Sequence, residues 1–378
     1  MDISELRKKI DKVDNQLLQL FLERMELSED IAAYKNERQL PIENKKRERE
    51  ILSGVMERAG KYEQYAFHLF STLFNLSKSR QSELYSAPTR VREQVERALS
   101  HGQPIFPKSG TIACQGVEGG NSQEACDKLF PRGRLVYVKT FEAVFDAVES
   151  GLCQYGVLPI ENSSNGSVRS VYALLRKKHF SIVRSTVLRI RHDLLTLPGV
   201  KMEDIRTVYS HEQAIGQCHA FLKALPNVRV VPCANTAVAA KLVAEGNDPT
   251  AAAIASSRCA ELYGLQSLRT DIQDALNNYT QFICIEKEPK MYDGANRISL
   301  ILACRNKPGA LCEMLDRLSA HDVNMTKLES CPVAGSDFEF IFFMELDATV
   351  RDPGVLSMLE EMERNSGEML FLGCYTTE

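Results

Sequence analysis

The first feature with chemical potential is a run of small hydroxyl and amide side chains at residues 159–168, which read Pro-Ile-Glu-Asn-Ser-Ser-Asn-Gly-Ser-Val. It follows the apolar segment 155–158 and precedes a helix-like segment at 172–175. A strand that carries uncharged donors at its carboxyl end, just before a helix, can hold an anion with main-chain and side-chain hydrogen bonds. A hydrogen-bonded turn with a helix N-cap is the simpler alternative.

A second candidate site centres on an arginine within an apolar helical pattern. Arg24 falls in a series that recurs at steps of three and four. The apolar members of the series are Ile3, Leu6, Ile10, Val13, Leu17, Leu20, Leu27, Ile31 and Tyr34. An arginine in a core register is costly unless it meets an anion. Arg7 and Lys35 each follow a core position by four residues, so they border the same seam.

The helices that follow also carry polar groups in apolar registers. Ser77 and Gln81 continue a stripe formed by Ala66, Phe70 and Leu73 or Phe74. These groups and Arg47 could complete an anion site with Arg24. Alternatively, Arg24 sets the helix register and the other charges are solvated.

The first helix must position these residues, and its length has a consequence. A helix of about 33 residues is about 50 Å long, whereas the next helical segments, 44–58 and 63–85, are shorter. Neither could cover the whole apolar stripe. We therefore expect a second copy of the chain to help bury it, in a homodimer or a higher homo-oligomer.

Residues 1–86 resemble the all-helical chorismate mutases. The segments that carry the resemblance are 6–11, 22–24, 34–35, 47–50, and Ser77 with Gln81. The resemblance implies rearrangement of chorismate to prephenate, a pericyclic reaction that needs a bound compact conformer and donors to the ether oxygen. The roles it implies are carboxylate binding by Arg7, Arg24 and Arg47, contact with the ether oxygen by Lys35 and Gln81, and contact on the hydroxyl side by Glu48 and Ser77. Asn44 departs from the family, which often has Asp there.

Residues 87–109 look like a linker, because Pro88 opens the segment and Pro104 and Pro107 close it around a short helical pattern. Beyond it, apolar strands alternate with helical runs, as in 228–231 followed by 236–245. This alternation is typical of βαβ units and predicts α/β architecture.

Residues 110–287 resemble the prephenate dehydratases. The segments that carry this resemblance, in family order, are 115–122, 159–168, 209–214 and 278–282. It implies two α/β lobes with substrate in the cleft, and the loss of carbon dioxide coupled to expulsion of a hydroxyl group. Thr280 would be the proton donor or its immediate partner. The residues implied to line the cleft are Asn162, Ser163, Ser164, Ser210, His211, Gln213 and Thr236.

Two positions of this region depart from the family pattern. Gln281 replaces an arginine and Asn121 replaces an aromatic residue. A charge-assisted contact is worth roughly 1.5–3 kcal/mol, so the sequence predicts reduced dehydratase activity if position 281 faces the substrate. Because neighbours along a strand face opposite sides, position 281 could instead point away from the cleft.

Residues 296–378 follow the order βαββαβ, which predicts a ferredoxin-like α+β domain. This region resembles the ACT regulatory domain. The residues implied to sense phenylalanine are Gly309, Ala310, Leu311, Glu329 and Ser330. Cys331 replaces the usual arginine, and a role limited to oligomerisation is the alternative.

Composition limits the remaining classes. The chain has 378 residues with 46 basic and 50 acidic side chains, a net charge of −4, which gives no footprint for nucleic acid or a membrane surface. The N-terminus lacks a signal-peptide pattern, so we expect a cytoplasmic protein. Eleven cysteines without a C-x-x-C pair favour reduced buried thiols over a disulfide framework or a metal site.

Together these features predict a multidomain, bifunctional enzyme of the chorismate mutase and prephenate dehydratase type, with an all-α, an α/β and an α+β part. The expected ligands are chorismate, prephenate and phenylalanine, with no metal or organic cofactor. Two other classes stay open. One is a mutase whose central region only binds prephenate or phenylalanine, and the other is an amino-acid sensor without catalysis.

Overall fold

A computed structural model describes residues 2–42, 44–84, 88–102, 104–275, 277–304, 309–332 and 340–378. The described chain forms two compact units, residues 1–90 with 357–365, and residues 91–356 with 366–378. Residues 87 and 103 of the predicted linker and residues 305–308 of the C-terminal region lie outside the described residues.

The first unit contains helices α1 (Ile3–Glu37), α2 (Lys45–Ala59) and α3 (Glu63–Glu83), with a 3-10 turn at Gly60–Tyr62 before α3. The side chain of Asn44 caps α2 by accepting a hydrogen bond from the main-chain N–H of Arg47 (3.1 Å). Residues 357–365 join this unit through hydrogen bonds from Ser79 Oγ to Glu361 (2.5 Å) and from Arg364 to the carbonyl of Ser82 (3.2 Å).

The face of α1 that packs within the chain differs from the predicted core series. Every apolar member of that series, from Ile3 to Tyr34, is exposed, with exposed fractions of 41 % to 62 %. The buried positions of α1 are instead Ser28 and Ala32, on the side that also carries Arg24. Residues 2–20 are all exposed within the single chain, so the other described helices of the same chain do not cover the stripe, and its burial by a second copy stays a prediction.

The segment predicted as a linker contains helix α4 (Arg90–Ser100), in which Val91, Val95 and Ala98 are buried. Its apolar face is therefore buried, and the segment is more than a tether.

The central region has two mixed sheets. The first sheet has the order β2-β1-β3-β11-β5, with β4 paired to β3. Its strands are β1 (Thr111–Gln115), β2 (Arg134–Val138), β3 (Tyr155–Asn162), β4 (Gly166–Ser167), β5 (Ser181–Arg189) and, later in the chain, β11 (Tyr279–Glu286). Helices α5 (Asn121–Leu129), α6 (Phe141–Glu149) and α7 (Arg169–Lys178) connect them.

The second sheet has the order β10-β6-β9-β7-β8. Its strands are β6 (Asp193–Thr196), β7 (Thr207–Ser210), β8 (Arg229–Pro232), β9 (Ala251–Ala255) and β10 (Gln266–Arg269). Its helices are α8 (Glu212–Gln217), α9 (His219–Ala224), α10 (Thr236–Gly246) and α11 (Ser257–Tyr263), with a 3-10 turn at Met202–Asp204. The chain crosses to this sheet after β5 and returns with β11, which confirms the predicted α/β architecture.

The C-terminal elements are β12 (Arg297–Cys304), α12 (Ala310–Ala320), β13 (Asn324–Pro332), β14 (Phe340–Asp347), α13 (Pro353–Asn365) and β15 (Glu368–Tyr375). Their strands form an antiparallel sheet of order β13-β14-β12-β15. Ile301, Phe343 and Tyr375 of this sheet share a core with Ile182 and Ile283 of the first sheet.

This close packing requires a glycine at position 373. Gly373 has a φ of 145°, and a Cβ there would lie 2.2 Å from the carbonyl oxygen of Ile182 on β5. Any side chain would therefore push β15 away from β5.

No described helix is both long enough and apolar enough to cross a membrane. The cysteines whose side chains are described have free thiols, and most of them are buried.

We expect the whole chain to sediment as a dimer or a larger assembly, because burial of the exposed apolar stripe of α1 would remove it from water. Leu17→Glu should shift the chain towards monomer. Lys12→Glu, about 140° away around the same helix, is the matched control and should not. Residues 1–86 alone should also dimerise, and a stable folded monomer of that fragment in sedimentation would contradict the proposed interface.

Candidate active sites

The first candidate site lies between α1 and α3. Arg24 donates from Nη1 to the carbonyl oxygen of Leu73 (3.0 Å) and to the hydroxyl of Ser77, and its guanidinium lies 5.5 Å from the centroid of the Phe74 ring. Partial burial lowers the pKa of Arg24. Within the described part of the chain, no carboxylate pairs with it, so this desolvated cation is available to an anion.

Lys35 extends this cluster along α1. Its ammonium donates to the carbonyl oxygen of Ile42 (2.6 Å) and to Oε1 of Gln81 (3.2 Å). Burial lowers the pKa of Lys35, and the nearby carboxylate of Glu48 opposes that shift. Glu48 itself pairs with Lys78 at 3.4 Å. The structure thus brings together Arg24, Lys35, Glu48, Ser77 and Gln81.

Two predicted members of this cluster lie elsewhere. Arg7 and Arg24 are 17 residues apart on one helix, hence about 25 Å apart along its axis, so they cannot bind one small substrate within a single chain. Arg47 is exposed and its guanidinium lies 3.7 Å from the carboxylate of Glu50. Arg7 could therefore join Arg24 at one ligand only from a second copy of the chain, and carboxylate binding by the three arginines stays a prediction.

The second candidate site is a cleft of about 450 Å³ lined by residues of both central sheets. Its lining includes Gln115, Asn121, Phe141, Asn162, Ser167, His192, His211, Gln213, Gln217, Asn235, Thr236, Thr280 and Phe282. The described lining contains neither lysine nor arginine. The helices α5 and α10 begin at this cleft, and helix N-termini attract anions through their main-chain N–H groups.

The residues of the 159–168 run are held by one amide. Asn162 donates from Nδ2 to Oδ1 of Asn278 (2.8 Å) and to Oγ1 of Thr280 (2.8 Å). Its Oδ1 accepts from the main-chain N–H groups of Ser164 (3.0 Å) and Asn165 (2.9 Å). Because Thr280 Oγ1 accepts a hydrogen bond from Asn162, its own proton is free to be donated elsewhere.

Two hydroxyls that were predicted to line the cleft form hydrogen bonds with main-chain groups instead. Ser163 Oγ donates to the carbonyl oxygen of Asn277 (2.8 Å) and accepts from the N–H of Tyr279 (2.9 Å). Ser210 is fully buried and its hydroxyl donates to the carbonyl oxygen of Ile254 (2.7 Å). The expectation that these two hydroxyls line the cleft is therefore corrected, because both fix the backbone. Ser164 lines a neighbouring cavity that it shares with Gln213.

The remaining predicted residues line the cleft. His211 also caps α8, since its Nδ1 accepts from the main-chain N–H of Gln213 (3.3 Å). Thr236 is the first residue of α10, which Asn235 caps.

Sequence reasoning missed His192, which follows β5 and lines the cleft. Its Nε2 lies 2.8 Å from Oε1 of Gln217, an oxygen that only accepts, so Nε2 carries the proton. Burial lowers the pKa of His192, and its Nδ1 is buried without a partner in the described chain. Gln217 Oε1 also accepts from Asn278 (2.9 Å), so side-chain hydrogen bonds run unbroken from His192 to Thr280. The signal in the sequence that could have identified His192 is a histidine between two strands.

The residues predicted to bind an effector lie in the C-terminal sheet region. Gly309, Ala310 and Leu311 are at the start of α12, where Gly309 has a φ of 81°. Glu329 and Ser330 are on β13, and Glu329 accepts a hydrogen bond from Ser167 of the cleft.

Comparison with known proteins identifies a family for each of the two regions that contain these candidate sites. Residues 6–82 match the family model for chorismate mutase type II, and residues 112–290 match that for prephenate dehydratase. The chain is 31 % identical over 381 residues to the bifunctional chorismate mutase/prephenate dehydratase of Escherichia coli (strain K12). The alignment covers 99 % of this chain and 96 % of that protein.

Solved structures resemble about 70 % of the chain. The prephenate dehydratase of Arthrobacter aurescens in complex with L-Phe is 27 % identical, with a TM-score of 0.64 over 70 % of this chain and 89 % of that one. GqqA, described as a novel type of quorum-quenching acylase, is 32 % identical, with a TM-score of 0.64 over 71 % and 98 %.

The combination of a helical cation cluster and a two-lobed cleft defines a protein with two active sites. The chain belongs to the family of bifunctional chorismate mutase/prephenate dehydratases and carries a domain of each kind.

The orientation of Gln281 removes the reason to expect an impaired dehydratase. Thr280 and Phe282 line the cleft, whereas the side chain of Gln281, between them on β11, donates to Oε1 of Glu345 in the C-terminal sheet (3.4 Å). The missing arginine charge would therefore not lie beside the substrate. The condition for the predicted loss of activity, a Gln281 side chain that faces the substrate, is therefore not met in this geometry.

Gln281→Arg should change phenylpyruvate formation from prephenate by less than about twofold, since a strand neighbour of Thr280 faces the other side. Gln281→Ala is the control for loss of the Glu345 contact. Steady-state kinetics would check both variants. A tenfold rise in turnover with arginine would mean that position 281 reaches the substrate.

Proposed function

We propose that the chain catalyses two successive steps of phenylalanine biosynthesis, at the residues described above. Chorismate rearranges to prephenate in the helical cluster, and prephenate loses carbon dioxide and its hydroxyl group in the cleft. The observation that carries the proposal is the hydrogen bond from Asn162 to Thr280, because it leaves the threonine proton free for a departing oxygen.

The helical cluster suits a pericyclic reaction. Such a step needs no nucleophile, only a substrate held in its compact conformer and donors aimed at the ether oxygen as charge develops. Arg24 supplies a desolvated cation for a carboxylate. Gln81 accepts from Lys35 through Oε1, so its amide N–H groups and the third proton of the Lys35 ammonium can be donated to the ether oxygen. Glu48 and Ser77 would contact the substrate's hydroxyl side.

A second copy of the chain would complete this site. The distance between Arg7 and Arg24 on α1 rules out joint binding within one chain, and the exposed apolar stripe of α1 offers a surface for a partner. We propose that Arg7 of one copy reaches the cluster of another, and that Arg47 turns towards the carboxylates when substrate binds.

The cleft suits decarboxylative dehydration. Formation of the aromatic ring drives the reaction, so the protein must protonate the departing oxygen and hold two carboxylates without over-stabilising the one that leaves. Neutral donors and helix N-termini suit the binding of a carboxylate that must leave better than fixed cations do, because they bind an anion more weakly. Asn162, Gln213, His211 and Thr236 would bind the substrate, and Thr280 would donate the proton.

The C-terminal region, residues 296–378, acts as an ACT domain with a ferredoxin-like fold in this proposal. The strand order β13-β14-β12-β15 supports this assignment. The Arthrobacter aurescens relative binds L-Phe, and we propose phenylalanine as the effector here, bound through Gly309, Ala310, Leu311, Glu329 and Ser330. The domains would span residues 1–86, 110–287 and 296–378.

Arg24→Ala should lower chorismate consumption by at least one to two decades, because a lost charge-assisted contact costs roughly 1.5–3 kcal/mol. It should leave conversion of prephenate to phenylpyruvate intact. Thr280→Ala should do the reverse, with a loss of about two to four decades in phenylpyruvate formation. Separate assays of prephenate and phenylpyruvate check this, and an equal loss of both activities in either folded variant would refute two independent sites.

Calorimetry on the intact chain should detect phenylalanine binding. Cys331→Arg should tighten it, since an arginine can pair with the amino-acid carboxylate, whereas Cys331→Ser is the uncharged control. Absence of binding to the unmodified chain would leave the C-terminal region with a scaffold role.

A further inference from the structure

Two residues of β13 contact the turn that joins β3 to β4 at the cleft. They approach it from the side that faces the C-terminal sheet. Lys327 Nζ donates to Oε2 of Glu161 (2.7 Å) and to the hydroxyl of Tyr172 (2.7 Å). Ser167 Oγ donates to Oε2 of Glu329. Glu161 and Ser167 are cross-strand partners in the β3–β4 pair. Both ends of the turn that joins these strands are therefore fixed to β13.

The setting of Lys327 makes these contacts specific. Its side chain is only 11 % exposed, and its ammonium lies 5.4 Å from the ring centroid of Tyr172 and 5.6 Å from that of Phe343. A desolvated ammonium needs paired acceptors, which it finds in Glu161 and, at 3.8 Å, in Glu329. Burial raises the pKa of Tyr172, so its neutral hydroxyl accepts the third contact.

The turn held in this way carries substrate-facing groups. Asn162, Asn165, Gly166 and Ser167 all line the cleft. Asn162 also donates to the hydroxyl of Thr280. A displacement of β13 by a few tenths of an ångström would therefore move the groups that bind the substrate.

We propose that Lys327 and Glu329 are positioning residues of the dehydratase site, and that through them a ligand bound on β13 changes the affinity for prephenate. This inference rests on the proposed function, because it concerns regulation of the same cleft. Ser330 and Cys331 continue β13 directly from this contact. In the proposed function the strand therefore carries effector-binding residues next to the two side chains that contact the β3–β4 turn.

An ordinary packing contact between two layers is the competing explanation. The chain offers a matched control in the ion pair between Arg176 of α7 and Glu368 of β15 (2.6 Å). It joins the same two layers, is partly buried, and lies outside the turn. Loss of this pair should weaken the contact between layers without moving Asn162.

The test is steady-state phenylpyruvate formation by the full chain and its variants, with and without phenylalanine. Lys327→Met should raise the KM for prephenate about tenfold with less than a threefold change in kcat, and Glu329→Gln should raise it about threefold to fivefold. Lys327→Arg should restore a KM near the original. Arg176→Met should stay within twofold. Phenylalanine should raise the KM of the unmodified chain but add little in Lys327→Met.

Each outcome bears on the proposal. A KM unchanged in both Lys327→Met and Glu329→Gln, or shifted equally in Arg176→Met, would overturn it. Non-additive KM effects of Glu161→Gln and Lys327→Met in the double variant would support it. If Lys327→Met fails to fold, Glu329→Gln, a near-isosteric change, decides alone. An unmodified chain that forms no phenylpyruvate would instead refute the proposed function, so the two failures are distinct.

Discussion

The antiparallel register of β3 and β11 is the constraint on which the central region depends. It sets Asn162 opposite Thr280 and Glu161 opposite Gln281. Because side chains alternate along a strand, the first pair faces the cleft and the second faces the C-terminal sheet. One register therefore aligns the reactive hydroxyl with its partner amide and, on the other side, presents a carboxylate to Lys327.

In the proposed function, the two sites bind anions in opposite ways. The helical cluster relies on cations whose pKa values are lowered by burial, as at Arg24 and Lys35. The cleft has no lysine or arginine in its described lining and relies on amides, hydroxyls and helix N-termini. A rearrangement keeps both carboxylates of its substrate, whereas a decarboxylation must release one, so weaker donors suit the second reaction.

The C-terminal sheet is more than an attachment to the central region. It shares a core with the first sheet, and Gly373 lets β15 approach β5 closely. Charged side chains contact the central region at several points, among them Lys327, Glu345, Glu368 and Glu378. In a packed interface such points transmit small shifts, because the surrounding side chains cannot absorb them.

The sequence by itself determined the helical, α/β and βαββαβ patterns, since hydrophobic periodicity is a local property. It also determined the key reactive candidates, Arg24 and Thr280, whose residue types and segments suit the chemistry. Only the tertiary structure decided which side chains face a ligand. The hydroxyls of Ser163 and Ser210 form hydrogen bonds with the main chain. The side chain of Gln281 points away from the cleft, whereas His192 lines it. The reason is physical: orientation depends on strand register and on pairing between residues 25 to 114 positions apart, and no local pattern encodes it.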